Sequence, residues 1–442
     1  MSKPVCLVTA PVATRSGYGA HSRDIVRSLI ELDRYDVKIW SVRWGNCPMN
    51  ALTADDPNDK MIIDRLLQKP ELPNQPEISI SILVPNEFQP VAKYNIGITA
   101  GLECSVVPPA WIEGMNRMNM NIVPSNFVSD VFKTCVFDVK DDKTQQIKGQ
   151  LKYEKPIEVL FEGTDTNIFK KTKEFSKQLV DEMKNIEESF NFLYVGHWLS
   201  GNIGEDRKDT GMMLKVFLET FKNKKKKPGL IMKTSGAGFS ILDREDILKK
   251  INVIKSQVKG DLPNIYLIHG DFTDEEMNEL YNHPKVKAHV NITHGEGFGR
   301  PLLEASISEK PIIASDWSGH KDFLSGGLAN LIPGGLVDVP KSSFPKEMYI
   351  QGSQWFTVNY QSVSSVMKGV FSSYKKYTLN AKKLGKVNKS KFSLNAMTRE
   401  LGKMLDKYVP EFPKEVELKL PKLKKVGDTT PSKITLPKLK KV

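Results

Sequence analysis

Two carboxylates and three glycines lie within one short stretch of the sequence, residues 294–304. The stretch HGEGFGRPLLE places Gly295, Gly297 and Gly299 around Glu296, and Glu304 follows a few residues later. A turn without side chains lets a ligand touch backbone amides, and carboxylates accept hydrogen bonds from ligand hydroxyl groups. These residue types therefore predict a site for a ligand that carries phosphate or many hydroxyl groups.

The segments around this turn predict where it lies in the fold. The stretch VKAHVNIT at 286–293 predicts a buried strand, Pro301 suits the first position of a helix, and PIIAS from Pro311 predicts the next strand. This order puts amide N–H groups and a helix N-terminus at the carboxyl end of a parallel sheet, where phosphates bind. Glu304 falls about one turn inside the helix, and its side chain leans back toward the turn.

Other interpretations of these residues are weaker. Two carboxylates suggest glycoside hydrolysis, but the glycines favour a ligand held by the backbone. His294 and Glu296 form an H-x-E pattern that zinc deaminases complete with P-C-x-x-C, and the sequence has no such segment. A structural alternative stays open, in which the glycines only shape a tight turn and Glu304 is a solvated helix residue.

Strand-like segments alternate with helical ones and predict an α/β fold. Six predicted strands of the first part centre on Cys6, Val37, Ile78, Ile96, Ile122 and Val159. Five of the second part centre on Leu193, Met232, Leu267, residues 286–293 and residues 311–315. This alternation predicts two consecutive doubly wound, Rossmann-like domains.

The same patterns predict the organisation of the chain. We expect an N-terminal domain, a linker, a C-terminal domain, closing helices and a tail over residues 1–168, 169–188, 189–375, 376–409 and 410–442. A second glycine loop, with Gly17 and Gly19, follows the first predicted strand. It lacks the third glycine of a dinucleotide fingerprint and is a weak signal alone, but its position projects it into the cleft between the domains.

Composition describes a globular protein of 442 residues, with 40% hydrophobic and 26% charged residues. No stretch approaches the roughly 20 apolar residues of a membrane span, and the first residues lack the apolar core of a signal peptide, so we expect a cytoplasmic protein. The four cysteines are far apart in the sequence and predict reduced core thiols rather than a zinc site.

The basic residues are concentrated toward the C-terminus. The net charge is +12, and the tail over residues 410–442 repeats the motif LPKLKKV from Leu420 and from Leu436. Lysine and proline with few aromatic residues predict a disordered extension that could touch an anionic polymer or a membrane surface. A solvated tail that aids solubility is an equally good interpretation. The lysine run at 222–229 is most simply an exposed loop.

Four motifs resemble the retaining, nucleotide-sugar-dependent glycosyltransferases of the GT-B fold. They are EGFGRPLLE from Glu296, PIEVLFEGTDTNIF from Pro156, PSNFVSDVF from Pro124 and KFS from Lys391. The first motif is similar to the E-x7-E signature of a large group of these enzymes, called glycosyl transferases group 1 or family 4-like. This group includes glycogen synthases and many lipopolysaccharide and mannosyl transferases. Some relatives are virus-encoded. The resemblance covers residues 1 to about 409 and implies a donor site in the second domain, an acceptor site in the first and a final helix that crosses back.

The resemblance also implies roles for individual residues. Glu296 would bind hydroxyl groups of the donor sugar, and Glu304 would hold the ribose. The backbone of Gly297, Phe298 and Gly299 would face the sugar and the diphosphate.

The expected clamp for the diphosphate departs from the group's pattern. The group uses an Arg and a Lys after the first strand of the second domain, but His197 stands where the Arg is expected. Lys208 fits the lysine role, Arg207 is the candidate for the missing cation, and Lys233 is a supporting candidate. Because no D-x-D motif is visible and fixed cations can stabilise the leaving group, we expect no metal and no other cofactor. Alternatively, the EDRKD segment is only a salt-bridged surface loop.

Two further functions stay open. Sugar transfer to modified nucleic-acid bases would use the same fold, and a catalytically inactive sugar-nucleotide-binding protein would have lost part of the site. On the acceptor side the candidates are Glu103, Trp111 and Arg117, the last two at helical spacing with Glu113. Trp111 as ordinary packing is an equal alternative.

Overall fold

The computed structural model describes residues 3–141, 143–199, 201–236, 238–343 and 348–412. The first domain is built on a sheet of six parallel strands in the order β2-β1-β3-β4-β5-β8. These strands are β1 (Val5–Ala10), β2 (Asp36–Ser41), β3 (Ile78–Ile82), β4 (Tyr94–Ile98), β5 (Met120–Val123) and β8 (Ile157–Val159). All six correspond to predicted strands, because short apolar segments are typical of strands covered on both faces.

Helices and one hairpin complete the first domain. The helices are α1 (Gly17–Leu32), α2 (Pro57–Ile63), α3 (Pro109–Arg117) and α4 (Asn126–Thr134). The antiparallel hairpin of β6 (Val136–Lys140) and β7 (Ile147–Lys152) was not predicted. Most of its side chains are exposed, so it lacks the apolar alternation by which a strand is identified from sequence.

The second domain has a sheet of the same kind in the order β11-β10-β9-β12-β13-β14. Its strands are β9 (Asn191–His197), β10 (Gly229–Ser235), β11 (Ile265–Ile268), β12 (Val286–Asn291), β13 (Ile312–Ser315) and β14 (Asn330–Ile332). The first five correspond to predicted strands, and the three-residue edge strand β14 was missed. The strand order reverses between β9 and β12, and ligands bind at such a switch point, outside the carboxyl ends of the strands.

Seven helices and a second hairpin accompany this sheet in the described residues. The helices are α5 (Lys177–Lys184), α6 (Thr210–Phe221), α7 (Ile241–Gln257), α8 (Asp274–Asn282), α9 (Arg300–Ile307), α10 (Lys321–Leu324) and α11 (Tyr360–Ser372). The hairpin pairs β15 (Gly334–Asp338) with β16 (Gln354–Val358). Trp355 on β16 is buried in an apolar cluster with Leu102 and Trp111 of the first domain, and Ser105 N–H donates to the Gln354 carbonyl at 2.7 Å. This hairpin therefore joins the two domains.

The last two helices connect the domains a second time. Helix α12 (Tyr374–Lys391) packs along α9, and α13 (Leu394–Tyr408) returns to the first domain and packs along α1. The Ser28 and Thr398 hydroxyl oxygens lie 2.8 Å apart across the α1–α13 contact, and Leu394 N–H donates to the Thr164 carbonyl at 2.9 Å. A final helix that crosses back agrees with the expectation from the resemblance.

The compact unit covers Met1–Val409. Among the described residues, no helix combines the length and apolar character needed to cross a bilayer. The duplicated lysine motif of the tail lies outside the described residues.

Candidate functional site

The glycine turn lies at the switch point of the second sheet. It follows β12, and the long loop over residues 198–209 follows the neighbouring β9, so both open at the same edge. Gly299 has φ 97° and ψ 46° where it caps α9, a left-handed conformation that favours glycine. Pro301 follows as the second residue of the helix, where its missing N–H costs nothing.

Three backbone amides of the turn are unused. Within the described part of the chain, the N–H groups of Gly297, Phe298 and Gly299 have no hydrogen-bond acceptor. The Phe298 side chain points the other way, into the core, where its ring lies 5.0 Å from that of Phe323. Phe298 therefore offers only its backbone to the site, and the amides at the start of α9 form a local anion-binding arrangement.

The first domain lies directly against the turn. A Cβ on Gly297 would come within 2.3 Å of the Ala100 carbonyl oxygen, and the Ser125 hydroxyl donates to the Gly297 carbonyl at 2.6 Å. A Cβ on Gly295 would meet the Glu103 carbonyl at 2.8 Å. The sequence analysis explains these glycines by a ligand at the backbone, whereas in the structure they permit close approach of two backbones.

Two cations and two carboxylates meet beside the turn. Lys208 Nζ lies 2.5 Å from Glu296 Oε1, and Arg207 Nη1 lies 2.7 Å from Glu103 Oε1 and 3.8 Å from Glu296 Oε2. Burial opposes ionisation of Glu296, but Lys208 and Arg207 outweigh it and lower its pKa. Burial and then Arg207 lower the pKa of Lys208, against the opposing effect of Glu296. The cluster thus brings two positive and two negative charges together in a largely buried place.

Buried contacts fix the loop that carries both cations. The Arg207 carbonyl accepts hydrogen bonds from His294 N–H at 2.9 Å and from the Thr293 hydroxyl at 3.1 Å. Asp206 accepts from Thr210 N–H at 3.0 Å at the start of α6. Because Asp206, Lys208 and Asp209 are buried, the alternative of a solvated surface loop is wrong.

His294 holds the turn in place. Its ring stacks on Trp355 with centroids 4.3 Å apart, and Nδ1 lies 2.7 Å from the Phe356 carbonyl. Burial lowers its pKa, so the ring is neutral at neutral pH. This packing explains the histidine of the H-x-E pattern.

The other two candidates for the clamp lie nearby but outside the cluster. Lys233 lies beside β11. Its Nζ donates a hydrogen bond to the Gly270 carbonyl at 2.7 Å and lies 4.9 Å from the centre of the Phe272 ring. His197 is the last residue of β9, and its side chain is exposed. Partial desolvation of the ring, and then the positive charge of Lys208, lower its pKa. Neither residue contacts Glu296 in the described structure.

Glu304 belongs to an ion-pair chain that crosses the domains. Arg300 Nε donates to Glu304 at 2.9 Å, and Arg300 Nη1 lies 2.5 Å from Asp24 of α1. The Tyr281 hydroxyl donates to Glu304 at 3.3 Å. Burial raises the pKa of Glu304 to about 7, although Arg300 opposes the shift. A solvated Glu304 is therefore excluded, since its side chain is buried.

Glu162 is a site residue that the sequence analysis missed. It lies after β8 at the domain junction, is 9% exposed and has no hydrogen-bond partner among the described residues. Burial raises its pKa to about 7. The positive charge of Arg300 opposes this shift, and the negative charges of Asp24 and Glu304 add to it. An acidic residue directly before a glycine, at the carboxyl end of a strand, was the available signal. Its carboxyl group is free to bond a ligand hydroxyl.

The Glu162→Gln variant is expected to be more stable than the unmodified protein at pH 8. A carboxyl group whose pKa is raised on folding contributes stability below its unfolded pKa of about 4.3, and this contribution is lost as pH rises through about 7. Glutamine cannot ionise, so it avoids a cost on the order of 3 kcal/mol. Because the loss accumulates between these two pKa values, thermal midpoints measured at pH 5 and pH 8 should show a much larger gain at pH 8.

A matched control for this prediction is Glu158→Gln. Lys407 lies 2.7 Å from Glu158 and lowers its pKa, so the variant should lose stability at pH 8 instead of gaining it. An equal gain for Glu162→Gln at both pH values would contradict the assignment of the ionisation cost to this carboxyl group.

Two acceptor-side candidates do not face the cleft. Trp111 is 3% exposed and packs in the first domain's core, so the packing alternative is correct. Arg117 Nε and Nη2 donate to the Phe88 and Asn86 carbonyls in the loop between β3 and β4. Helical spacing gives a common face but cannot tell whether that face is buried. Of the three candidates, Glu103 is the one that reaches the cation cluster.

The glycines of the first loop differ from each other. A Cβ on Gly19 would come within 2.2 Å of the Thr14 carbonyl oxygen, so this glycine serves close packing. Gly17 begins α1, is exposed and has open space where a Cβ would lie. Arg15 of the same loop pairs with Asp271 at 2.6 Å, so the loop faces the second domain, as expected from its position.

Together these features define the class of the fold. The architecture is that of the GT-B fold, in which two doubly wound domains face each other and a last helix crosses back. No family model and no curated protein matches the chain.

Solved structures are similar over most of the chain. Anabaena HepE in complex with UDP and glucose is 11% identical with a TM-score of 0.58, over 91% of this chain and 100% of that one. A glycosyltransferase from Rickettsia africae is 13% identical with a TM-score of 0.59, over 92% and 99%. Sucrose-phosphate synthase from Thermosynechococcus elongatus is 11% identical with a TM-score of 0.59, over 92% and 98%. At such identities the likeness is one of fold.

Proposed function

We propose that this chain is a retaining glycosyltransferase that moves a sugar from a nucleoside-diphosphate sugar to a glycan or glycoconjugate acceptor. The observation that carries the proposal is the convergence of Lys208, Arg207 and Glu296 with unused amides at the switch point of the second sheet. The ligands of HepE, UDP and glucose, support a nucleotide sugar as the donor class. Retention of the sugar's configuration rests on the E-x7-E resemblance.

The reaction makes a simple electrostatic demand. As the bond between the sugar and the diphosphate breaks, negative charge grows on the leaving phosphate, and fixed positive charge nearby lowers the barrier. Lys208 and Arg207 supply this charge in our proposal, with Lys233 in support. Glu296 binds the sugar's hydroxyl groups and Glu304 the ribose. Because two buried cations meet the demand, we propose that transfer requires no metal and no other cofactor.

A screen of nucleotide sugars tests the proposal. Each sugar nucleotide is added to the purified full-length chain, and the thermal midpoint and the slow hydrolysis without acceptor are measured. We expect one donor to raise the midpoint and to be hydrolysed, with the anomeric configuration of a transferred sugar retained by NMR. Binding without hydrolysis or transfer would favour an inactive binding protein, and no shift with any sugar nucleotide would refute a donor site.

Replacing Glu304 by alanine is expected to weaken binding of the nucleoside diphosphate about tenfold or more. A hydrogen bond to a charged group contributes on the order of 1.5–3 kcal/mol, and the ribose would lose this partner. Arg300 keeps its contact with Asp24, so the fold should survive. Calorimetric titration measures the affinity, and Glu309→Ala, at an exposed pair just beyond α9, is the matched control. Unchanged affinity in Glu304→Ala would contradict the ribose role.

A further inference from the structure

Helix α12 carries a large unpaired positive charge on its outer face. Its 18 residues include seven lysines and no acidic residue. All seven lysines are exposed, and within the described residues none of their ammonium groups forms an ion pair or a hydrogen bond: Lys375, Lys376, Lys382, Lys383, Lys386, Lys389 and Lys391. On the packed side, Glu309 lies near Gly385 but pairs with Lys171 at 2.5 Å. The charge of the outer face is therefore available to a partner.

An exposed leucine lies in the middle of this lysine face. Lys375, Leu379, Lys382 and Lys386 are four, three and four residues apart, which places them on one stripe of the helix. Leu379 is 61% exposed, and Val387 at the side of the stripe is 40% exposed. These aliphatic side chains point into solvent among unpaired cations and do not pack the helix onto the protein.

More lysines extend this face beyond α12. The three lysines at 224–226 are exposed in the loop between α6 and β10 and form no ion pair in the described structure. The loop follows Phe221, whose ring lies 5.6 Å from that of Phe371, three residues before α12 begins. Lys287 Nζ lies 5.9 Å from the ring of Tyr374, the first residue of α12. The loop therefore begins beside the segment that leads into α12, and the three loop lysines and the exposed residues of α12 are together called the basic flank here.

We propose that the basic flank binds the anionic surface of a lipid bilayer. Unpaired lysines attract anionic headgroups, and aliphatic side chains between them enter the interface while the lysine stems lie along it. A single-stranded nucleic acid is instead bound by stacking of its bases on aromatic rings or guanidinium groups. The flank's exposed apolar residues, Leu379 and Val387, are aliphatic, and α12 contains no arginine. These features favour lipid.

The contacts of α12 lie toward the C-terminal end of α9, whereas the glycine turn precedes the N-terminal end of that helix. Helix α12 packs along α9 on the side of the second domain, where a Cβ on Gly385 would lie 2.7 Å from the Ser306 carbonyl. Helix α12 ends directly before Phe392. The ring of Phe392 lies 5.0 Å from the ring of Phe161 and 5.9 Å from that of Phe323, at the domain junction. Bilayer binding would thus hold the flank of the second domain on the membrane, and it does not depend on the proposed transfer reaction.

Vesicle sedimentation with the full-length chain tests this inference. We expect binding to vesicles that contain phosphatidylglycerol, little binding to pure phosphatidylcholine, and a steep fall as salt is added. Changing Lys382, Lys383 and Lys386 together to glutamine should lower the partition coefficient by at least tenfold, since each lysine near an anionic surface contributes roughly fivefold. The tail is present in every protein compared, so its contribution cancels.

Two further variants make the test specific. Changing Lys69, Lys140 and Lys155, exposed lysines of the first domain, to glutamine removes the same charge elsewhere and should leave most of the binding. Leu379→Ser should weaken vesicle binding further but leave binding to a single-stranded oligonucleotide unchanged. Equal losses in the two triple variants, or binding to the oligonucleotide but not to anionic vesicles, would overturn the proposal.

Discussion

Replacing Lys208 by alanine is expected to lower turnover at saturating donor about a hundredfold. A cation that strengthens its contact as the bond breaks contributes on the order of 3 kcal/mol to the barrier, which is about two powers of ten in rate. Lys208 is buried beside Glu296, so water cannot replace its charge in the variant. Arg207→Ala should have a similar effect. Lys233→Ala should have a smaller one, because Lys233 lies outside the cluster and binds the Gly270 carbonyl.

Controls separate lost chemistry from lost structure. Lys249→Ala removes an exposed lysine of α7 in the same domain and should leave turnover unchanged. Lys208→Ala leaves Glu296 with Arg207 alone, so its thermal midpoint must be measured beside turnover. If neither Arg207→Ala nor Lys208→Ala reduces turnover tenfold, or if a chelator abolishes activity of the unmodified enzyme, the metal-free cationic clamp is wrong.

Local patterns in the sequence were sufficient for most of the fold. Short β-branched segments and glycine turns mark the eleven strands of the two parallel sheets that correspond to predictions. The clamp candidates follow from the same reasoning, because loops after β9 and β12 must open at one sheet edge if both strands are parallel. The exposed hairpin of β6 and β7 and the three-residue edge strand β14 escape such analysis, because they carry no apolar alternation.

Contacts between the domains could not be predicted from one sequence. Arg300 and Asp24 are separated by 276 positions, and nothing local indicates that their side chains meet. The same holds for Glu103 and Arg207, which lie in different domains. Trp111 shows the converse error: helical spacing identified a face, but tertiary packing decided that this face belongs to the core. The sequence explains the glycines of the turn by a ligand that contacts the backbone, whereas in the structure the absence of side chains also lets the backbone of the first domain approach closely.

The Glu296→Gln variant is expected to lose about a hundredfold in turnover while its affinity for the nucleoside diphosphate stays the same or rises. Glutamine keeps the shape of the side chain but removes the negative charge that balances Lys208 at 2.5 Å and Arg207 at 3.8 Å. With one internal counter-charge gone, both cations are left more free to bind a diphosphate. The sugar loses a charged hydrogen-bond acceptor, and removal of one such preorganised group costs on the order of 3 kcal/mol in the transition state.

The thermal stability of the Glu296→Gln variant should also change, and added nucleoside diphosphate should partly restore it. The pKa of Glu296 is lowered in the folded protein, so its ionised form stabilises the fold at neutral pH, and the contribution is lost as pH falls through the folded pKa. The variant should therefore melt earlier at pH 7, and added nucleoside diphosphate should raise its midpoint more than that of the unmodified protein, because the ligand replaces the missing negative charge. Glu245→Gln, a change at an exposed residue of α7 in the same domain, should show neither effect. Parallel losses of turnover and nucleotide affinity in Glu296→Gln would assign this residue to donor binding alone and contradict its proposed role in the chemical step.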